Sequence, residues 1–260
     1  MTNRYPAFIV GSPRSGTSVL VDVLFAAGYH GFREGNFLTL ISGIDSLIER
    51  HFKAFADGNP KVLVNAVKKD RFKGRLFDGF LRIMDKNNPE APWFDKTGNP
   101  EMIAAIPVLR RLWPDSVFIF AKRRGIENVL SRTIKFPTHR FEHHCADWAR
   151  NMNTWRKIRA DLPPEVFVEI DQQDMILRPQ QTAIALSRLL ELPSQNSDEM
   201  ARVFRTHRPQ ETADGTAARV ISLDTSGWND IQKATFVRFC KEEMEAFGYS
   251  FGPDYMSSAA

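Results

Sequence analysis

The sequence predicts an α/β protein in which a central, mainly parallel sheet lies between two layers of helices. Short apolar runs, typical of buried parallel strands, stand at residues 7–10, 117–121 and 166–171. Segments with apolar residues at helical spacing separate these runs, as expected of strands that alternate with helices. No repeat or linker divides the 260 residues, so we expect one domain over residues 1–260.

Composition excludes several classes of protein. With 43% hydrophobic and 25% charged residues, the chain is not disordered, collagen-like or a coiled coil. The net charge of +4 suits an anionic ligand but is too small to indicate nucleic-acid binding. No apolar run approaches the length of about 18 residues that spans a bilayer. Two cysteines, Cys145 and Cys240, are too few for a disulfide framework, so we expect packing roles for them and a cytoplasmic protein.

The first half of the chain begins with the strand at residues 7–10 and a Gly/Ser loop. An apolar stripe that Gly28 can end then predicts the first helix; it consists of Val19, Leu20, Val23 and Leu24. Residues 38–56 also carry apolar positions at helical spacing. Residues 62–67 fit either a strand or the start of a helix, and residues 75–86 look helical.

The second half continues the alternation. Residues 93–96 form a short strand candidate, and Asn99 with Pro100 predicts the start of a helix that runs to Leu112. The strand at 117–121 ends in Lys122, Arg123 and Arg124, which places positive charge at the edge where open parallel sheets bind ligands. We further expect helices at 179–191 and from 230 to Phe247, where Gly248 ends the last one, and an irregular loop at 208–229.

The sequence GSPRSGTS, residues 11–18, lies between the first strand and the first helix. Its two glycines let the backbone wrap around an anion at the helix N-terminus. The NTPase template G-x-x-x-x-G-K-[ST] is matched except that Thr17 replaces the lysine, while Arg14 supplies a cation earlier in the loop. The pattern therefore predicts a P-loop-like site that binds a phosphate without hydrolysing or transferring it. A plain Gly/Ser turn is the alternative.

These residues resemble the sulfotransferases that use 3′-phosphoadenosine 5′-phosphosulfate (PAPS). PRSGTS is similar to their 5′-phosphosulfate loop, in the arginine form of the carbohydrate and tyrosylprotein members. FAKRRGIENVLSR is similar to their 3′-phosphate motif, with Arg123 at a strand end and Ser131 in the following helix. The resemblance implies PAPS as the donor and a donor site that contains Arg14, Ser15, Gly16, Thr17, Ser18, Arg123 and Ser131.

Weaker similarities extend over most of the chain. WFDKTGNP, VFVEIDQQDMILRP and SGWNDIQ resemble three further family segments, the last of which closes over the nucleotide. Gly125 stands where the family usually has proline, and no R-K-G-x-x-G element lies near Trp228, where Arg219 is a candidate replacement cation. The dimerisation segment of many cytosolic members is also not seen, so the oligomeric state stays open.

Three residues are catalytic candidates by this resemblance. Arg14 would stabilise the transferred sulfate, and Lys96 matches a lysine that contacts the leaving oxygen in tyrosylprotein-type members. Glu34 lies where related members place a catalytic base, with His30 as its rival because histidine titrates near neutrality. Sulfuryl transfer of this kind needs no metal ion, so we expect none.

Two polar clusters have simpler interpretations. His139, His143, His144 and Cys145 have spacing compatible with zinc, but a partly buried helix that lines the acceptor cleft is favoured. The basic stretch 68–75 is expected to be a solvated face, although it could receive an anionic acceptor.

The favoured function is transfer of a sulfuryl group from PAPS to the hydroxyl of a carbohydrate, glycolipid or other small molecule. One alternative is a P-loop kinase or NTPase, with Asp171 as a metal-binding acid at a strand end. A second is a non-catalytic nucleotide-binding module. No nucleic-acid partner is expected.

Overall fold

The protein is built on one parallel sheet. A computed structural model describes residues 6–88, 92–206 and 219–257. The strands are β1 (Ala7–Gly11), β2 (His30–Gly31), β3 (Trp93–Lys96), β4 (Val117–Lys122) and β5 (Phe167–Asp171). They lie in the order β2-β3-β1-β4-β5, and every pairing of neighbours is parallel. The predicted α/β fold with a mainly parallel central sheet is therefore confirmed.

Eleven helices are present in the described part of the chain. They are α1 (Thr17–Ala26), α2 (Leu40–Phe55), α3 (Leu63–Ala66), α4 (Lys69–Asn87), α5 (Pro100–Leu112), α6 (Gly125–Lys135), α7 (Phe141–Arg159), α8 (Gln172–Leu177), α9 (Pro179–Leu189), α10 (Ser194–Thr206) and α11 (Asp230–Ala246). A 3₁₀ turn, Pro164–Val166, precedes β5. None of the helices described is long and apolar enough to cross a membrane.

Two hydrophobic cores cover the two faces of the sheet. Successive side chains of a strand point to opposite faces, and accordingly Phe8 and Val10 belong to one core while Ala7 and Ile9 belong to the other. The first core contains buried side chains of α5, α7 and α11, and the second contains those of α1, α9 and α10. This arrangement gives the three layers that the sequence predicts.

Most predicted boundaries agree with the structure. The side chain of Asn99 caps α5 by accepting a hydrogen bond from the Met102 N–H at 2.8 Å. Gly28 and Gly248 follow the ends of α1 and α11, as expected. Residues 62–67 contain the one-turn helix α3 and not a strand, because this segment has no buried residue and no neighbouring strand to pair with among those described. Of the predicted loop at 208–229, residues 208–218 lie outside the described part of the chain.

The three cations after β4 have different roles. The sequence predicts that all three add positive charge to the ligand edge, and for two of them this is wrong. Lys122 Nζ donates to Glu169 Oε2 at 2.9 Å. Arg124 is completely buried and pairs with Glu127. Of the three, Arg123 donates to the loop that follows β1, whereas Lys122 and Arg124 are paired with carboxylates.

The Arg124 guanidinium fastens the C-terminal segment to the sheet. It donates to the backbone carbonyls of Ile221, Ser250, Gly252 and Asp254. Asp171 adds a second anchor, since its carboxylate accepts hydrogen bonds from the hydroxyls of Tyr249 at 2.6 Å and Tyr255 at 2.7 Å. The end of the described chain is thus held beneath the carboxyl edge of β4 and β5.

Candidate functional site

The loop between β1 and α1 is tightly curled. Arg14 and Gly16 both have left-handed backbone conformations, with φ of 72° and 86°. A Cβ at Gly16 would lie 2.8 Å from the sulfur of the flexible Met175 side chain, which would have to shift, so the left-handed backbone conformation is the main reason for glycine there. α1 begins directly after this glycine, at Thr17. The loop therefore stands at a helix N-terminus, where backbone N–H groups favour an anion.

Helix α6 holds this loop in place. Asn128 Nδ2 donates to the Pro13 carbonyl and to Ser15 Oγ, both at 3.0 Å. Arg132 donates to Ser12 Oγ at 3.3 Å and pairs with Asp147. Sequence analysis singled out neither of these two residues, yet they occupy the same helix face as Ser131, at helical spacing, and that spacing was the available signal.

The residues of the two predicted donor-binding motifs are in contact. Arg14 Nε donates to Ser131 Oγ at 2.9 Å, and Arg123 Nη1 donates to the Arg14 carbonyl at 3.2 Å. Burial lowers the pKa of Arg14, and the nearby charge of Arg123 lowers it further. Burial also lowers the pKa of Arg123. An anion bound beside the two guanidinium groups would offset this repulsion, so the arrangement fits a ligand with negatively charged groups.

The catalytic candidates on β3 also meet. Lys96 is buried at the end of β3, and its ammonium forms an ion pair with the more exposed carboxylate of Glu34. The Gly35 N–H donates to the Lys96 carbonyl at 2.9 Å, which ties the Glu34 loop to the strand end. The Thr97 N–H donates to the Ile9 carbonyl at 3.1 Å, so this edge adjoins β1 and the loop that follows it.

Family comparison agrees with this geometry. The model of the family described as "Sulfotransferase family" matches residues 6–196, which contain both donor-binding motifs and the Glu34–Lys96 pair. The chain belongs to the sulfotransferase family. The comparison with curated protein sequences finds no match.

Solved structures of other sulfotransferases share the fold of this sulfotransferase. A sulfotransferase domain from the curacin biosynthetic pathway has a TM-score of 0.54 and 15% identity, with 97% of this chain and 100% of that chain covered. Sulfotransferase STF9 from Mycobacterium avium has a TM-score of 0.53 and 14% identity, with 99% and 79% covered. Mouse sulfotransferase SULT7A1, complexed with PAP, has a TM-score of 0.53 and 13% identity, with 94% and 85% covered. At these identities the comparisons establish the fold alone.

The two candidate bases of the sulfotransferase lie at opposite ends of β3. His30 pairs in register with Trp93, the first residue of β3, whereas Lys96 is the last. Three residues along a strand correspond to about 10 Å. Glu34, by contrast, contacts the Lys96 ammonium directly. The structure thus pairs Glu34 with Lys96 and places His30 at the other end of β3.

Asp95 is a further site residue of the sulfotransferase that sequence analysis missed. Its carboxylate is buried behind the Glu34 loop and accepts a hydrogen bond from Thr97 Oγ1 at 2.9 Å. Thr97 Oγ1 in turn accepts from the Asn36 N–H at 2.9 Å. A Cβ on Gly35 would lie 1.9 Å from Asp95 Oδ2, so only glycine lets the loop approach this carboxylate. Burial raises the pKa of Asp95 to about 6.

Titration of Asp95 should make the stability of the sulfotransferase fall as pH rises from about 4 to about 6. Its pKa is 3.8 in the unperturbed state and about 6 when folded, so the folded protein binds more protons in this window. The shift corresponds to a loss of about 3 kcal/mol in the free energy of unfolding. This loss is absent below pH 3.8 and complete above about pH 6. Urea unfolding of wild type and Asp95→Asn across this range measures it. We expect the advantage of wild type over the variant to shrink by this amount, and parallel pH curves would contradict the assignment.

The histidine cluster lies around the start of α7. Within the described part of the sulfotransferase, no group of three or more His, Cys, Asp and Glu side chains is arranged to hold a metal ion. His144 and Cys145 are buried on α7, and burial lowers the pKa of His144 to about 4. The predicted partly buried helix is present here. Its buried face packs in the core with α5, α6 and α11.

Other residues that the sequence analysis named take no part in the contacts among Arg14, Arg123 and Ser131 or between Glu34 and Lys96. The basic stretch 68–75 is a solvated face except at Lys73, which is buried because Asp45 and Glu49 both pair with it. Trp228 is buried against the rings of Phe141 and Phe236, while Arg219 is exposed.

Proposed function

We propose that this sulfotransferase moves a sulfuryl group from PAPS to the hydroxyl of a carbohydrate, glycolipid or other small molecule. The single observation that carries the proposal is the hydrogen bond between Arg14 and Ser131, with Arg123 bonded to the Arg14 carbonyl. A nucleotide with phosphate groups at both its 5′ and 3′ ends requires two adjoining anion sites, and this contact joins two candidates. Residues 12–18 would hold the 5′-phosphosulfate, and Arg123 with Ser131 the 3′-phosphate.

The reaction would be an in-line displacement. The acceptor oxygen forms a bond to sulfur as the bond between sulfur and the bridging oxygen breaks, and adenosine 3′,5′-bisphosphate leaves. Glu34 would take the proton of the acceptor hydroxyl, and Lys96 would donate a hydrogen bond to the bridging oxygen as negative charge develops there. Arg14 would neutralise the transferred group. The Glu34–Lys96 contact supports these roles because the two groups must flank the reacting atoms.

A shallow cleft that Thr39 joins to the Glu34 loop is the candidate acceptor site. It has a volume of about 370 Å³ and lies between the start of α2 and the start of α5. Its lining is mainly apolar and consists of Thr39, Leu40, Ser42, Gly43, Ile44, Leu47, Asn99 and Glu101. Thr39 Oγ1 donates to the Asn36 carbonyl at 3.0 Å, which connects the cleft to the Glu34 loop. The apolar lining supports a glycolipid or other amphipathic acceptor over a free sugar.

Ligand-dependent stability tests the donor. A ligand that binds only the native state raises the melting temperature of the protein. The increase grows with the ratio of ligand concentration to Kd. We expect adenosine 3′,5′-bisphosphate to stabilise the protein and ATP with magnesium to have little effect. Stabilisation by ATP with magnesium alone would instead favour the kinase alternative. Transfer of label from PAPS to an acceptor would separate an enzyme from a binding module.

The structure disfavours the kinase alternative at Asp171. Both carboxylate oxygens of Asp171 accept hydrogen bonds from tyrosine hydroxyls, and one also accepts from the Gln173 N–H at 2.9 Å. These contacts give Asp171 a structural role as helix cap and anchor, where an NTPase would need a metal ligand.

The two cysteines are free and buried, which supports packing roles and the proposed cytoplasmic location.

A further inference from the structure

The connection between α2 and α4 forms the end of a helical hairpin. Asp45 and Glu49 of α2 pair with Lys73 of α4, so the C-terminal half of α2 lies beside the N-terminal half of α4. The rings of Phe52 and Phe72 are 6.4 Å apart near the end of this pairing. We refer to residues 53–72, which include α3, as the hairpin tip.

The hairpin tip exposes large apolar side chains. None of its twenty residues is buried. Four of its large hydrophobic residues are exposed, with exposures of 59% for Phe55, 79% for Leu63, 37% for Val67 and 44% for Phe72. Single exposed apolar residues are ordinary, but four in one segment of twenty residues that buries none of its own make the hairpin tip a candidate contact surface.

The same tip concentrates positive charge. It holds five cations, namely Lys53, Lys61, Lys68, Lys69 and Arg71. It holds only two acidic residues, Asp57 and Asp70. The formal charge of the tip is therefore +3, and of its five cations Lys69 also pairs with Glu49 of α2 at 2.7 Å.

We propose that the hairpin tip docks on the surface of an anionic lipid bilayer. Exposed Leu and Phe side chains can enter the boundary between headgroups and acyl chains, while surrounding lysines approach the anionic headgroups. A symmetric dimer through this tip would bring two positive surfaces together, which disfavours a second copy as the occupant. This proposal stands on the tip alone and does not depend on the sulfotransferase reaction.

Vesicle co-sedimentation of the 260-residue chain tests the proposal. We expect binding to phosphatidylcholine vesicles that contain phosphatidylglycerol, with weaker binding to phosphatidylcholine alone and at high salt, because screening removes the electrostatic part. Leu63→Ser should lower the partition coefficient about tenfold. Ile231→Ser is the matched control, since Ile231 is also 79% exposed but lies on α11. Lys61→Gln should lower binding about fivefold.

Three results would overturn the proposal. The first is equal loss of binding in Leu63→Ser and Ile231→Ser. The second is no binding to the anionic vesicles by wild type. The third is a dimer in light scattering that Leu63→Ser converts to a monomer, since the tip would then be occupied by a second copy. Thermal unfolding of each variant checks that the fold is intact, and exposed positions should leave it unchanged.

Discussion

Replacing Glu34 with Gln should lower turnover at least about a hundredfold, because general base catalysis contributes about a hundredfold to ten-thousandfold. Glutamine keeps the size of the side chain and can still accept a hydrogen bond from Lys96, so the loop after β2 should keep its position. It cannot take a proton from the acceptor hydroxyl. The measurement is the steady-state rate with PAPS and an excess of acceptor.

Two controls separate loss of the base from loss of the site. Glu142 is likewise exposed and paired with arginine, but it lies at the start of α7, so Glu142→Gln should retain full turnover. The affinity of Glu34→Gln for adenosine 3′,5′-bisphosphate should be at least that of wild type, because the change removes a negative charge beside Lys96 and no positive charge from the proposed donor site. Retained turnover in Glu34→Gln, with donor binding intact, would remove Glu34 from the role of base.

Replacing Arg123 with Ala should weaken binding of adenosine 3′,5′-bisphosphate about tenfold to a hundredfold. A hydrogen bond to a charged group contributes about 1.5–3 kcal/mol, which corresponds to that range. Binding of AMP, which lacks the 3′-phosphate, should fall much less, since only the support that Arg123 gives to the Arg14 carbonyl is lost. Calorimetric titration with both nucleotides measures the difference.

Lys122→Ala is the matched control for this comparison. It removes a cation one residue away, but one whose ammonium is bonded to Glu169. We expect its preference for the bisphosphate over AMP to equal that of wild type. Equal loss of affinity in the Lys122 and Arg123 variants would mean that the edge attracts nucleotides by general charge, and the 3′-phosphate role of Arg123 would then be withdrawn.

Local patterns predicted much of the fold. Buried strands are continuous apolar runs, so β1, β4 and β5 were predicted close to their observed bounds. The start of α5 at Asn99 was also predicted, because helix capping depends on neighbouring residues alone. β2 has only two residues and was missed, since a strand of that length carries no periodicity. α10 begins with SQNSDE, so its first half gives no apolar stripe to detect.

The candidate site was predicted less completely, for a different physical reason. The anion loop was found because its glycines and its position before a helix are local features. Asp95 was missed because a single acid in a short strand looks ordinary until Gly35 is packed against it. The pairing of Lys122 and the burial of Arg124 depend on groups distant in sequence, namely Glu169 for Lys122 and the carbonyls of Ile221 and Asp254 for Arg124.

The buried guanidinium of Arg124 connects the last described segment to the donor site. It immediately follows Arg123, and it is satisfied by carbonyl groups up to Asp254. Deleting residues from 249 onward would leave this charge in the interior with several donors unpaired, which is costly. We therefore expect short deletions at this terminus, including those made to aid crystallisation, to destabilise the carboxyl edge of β4, where the proposed donor site lies.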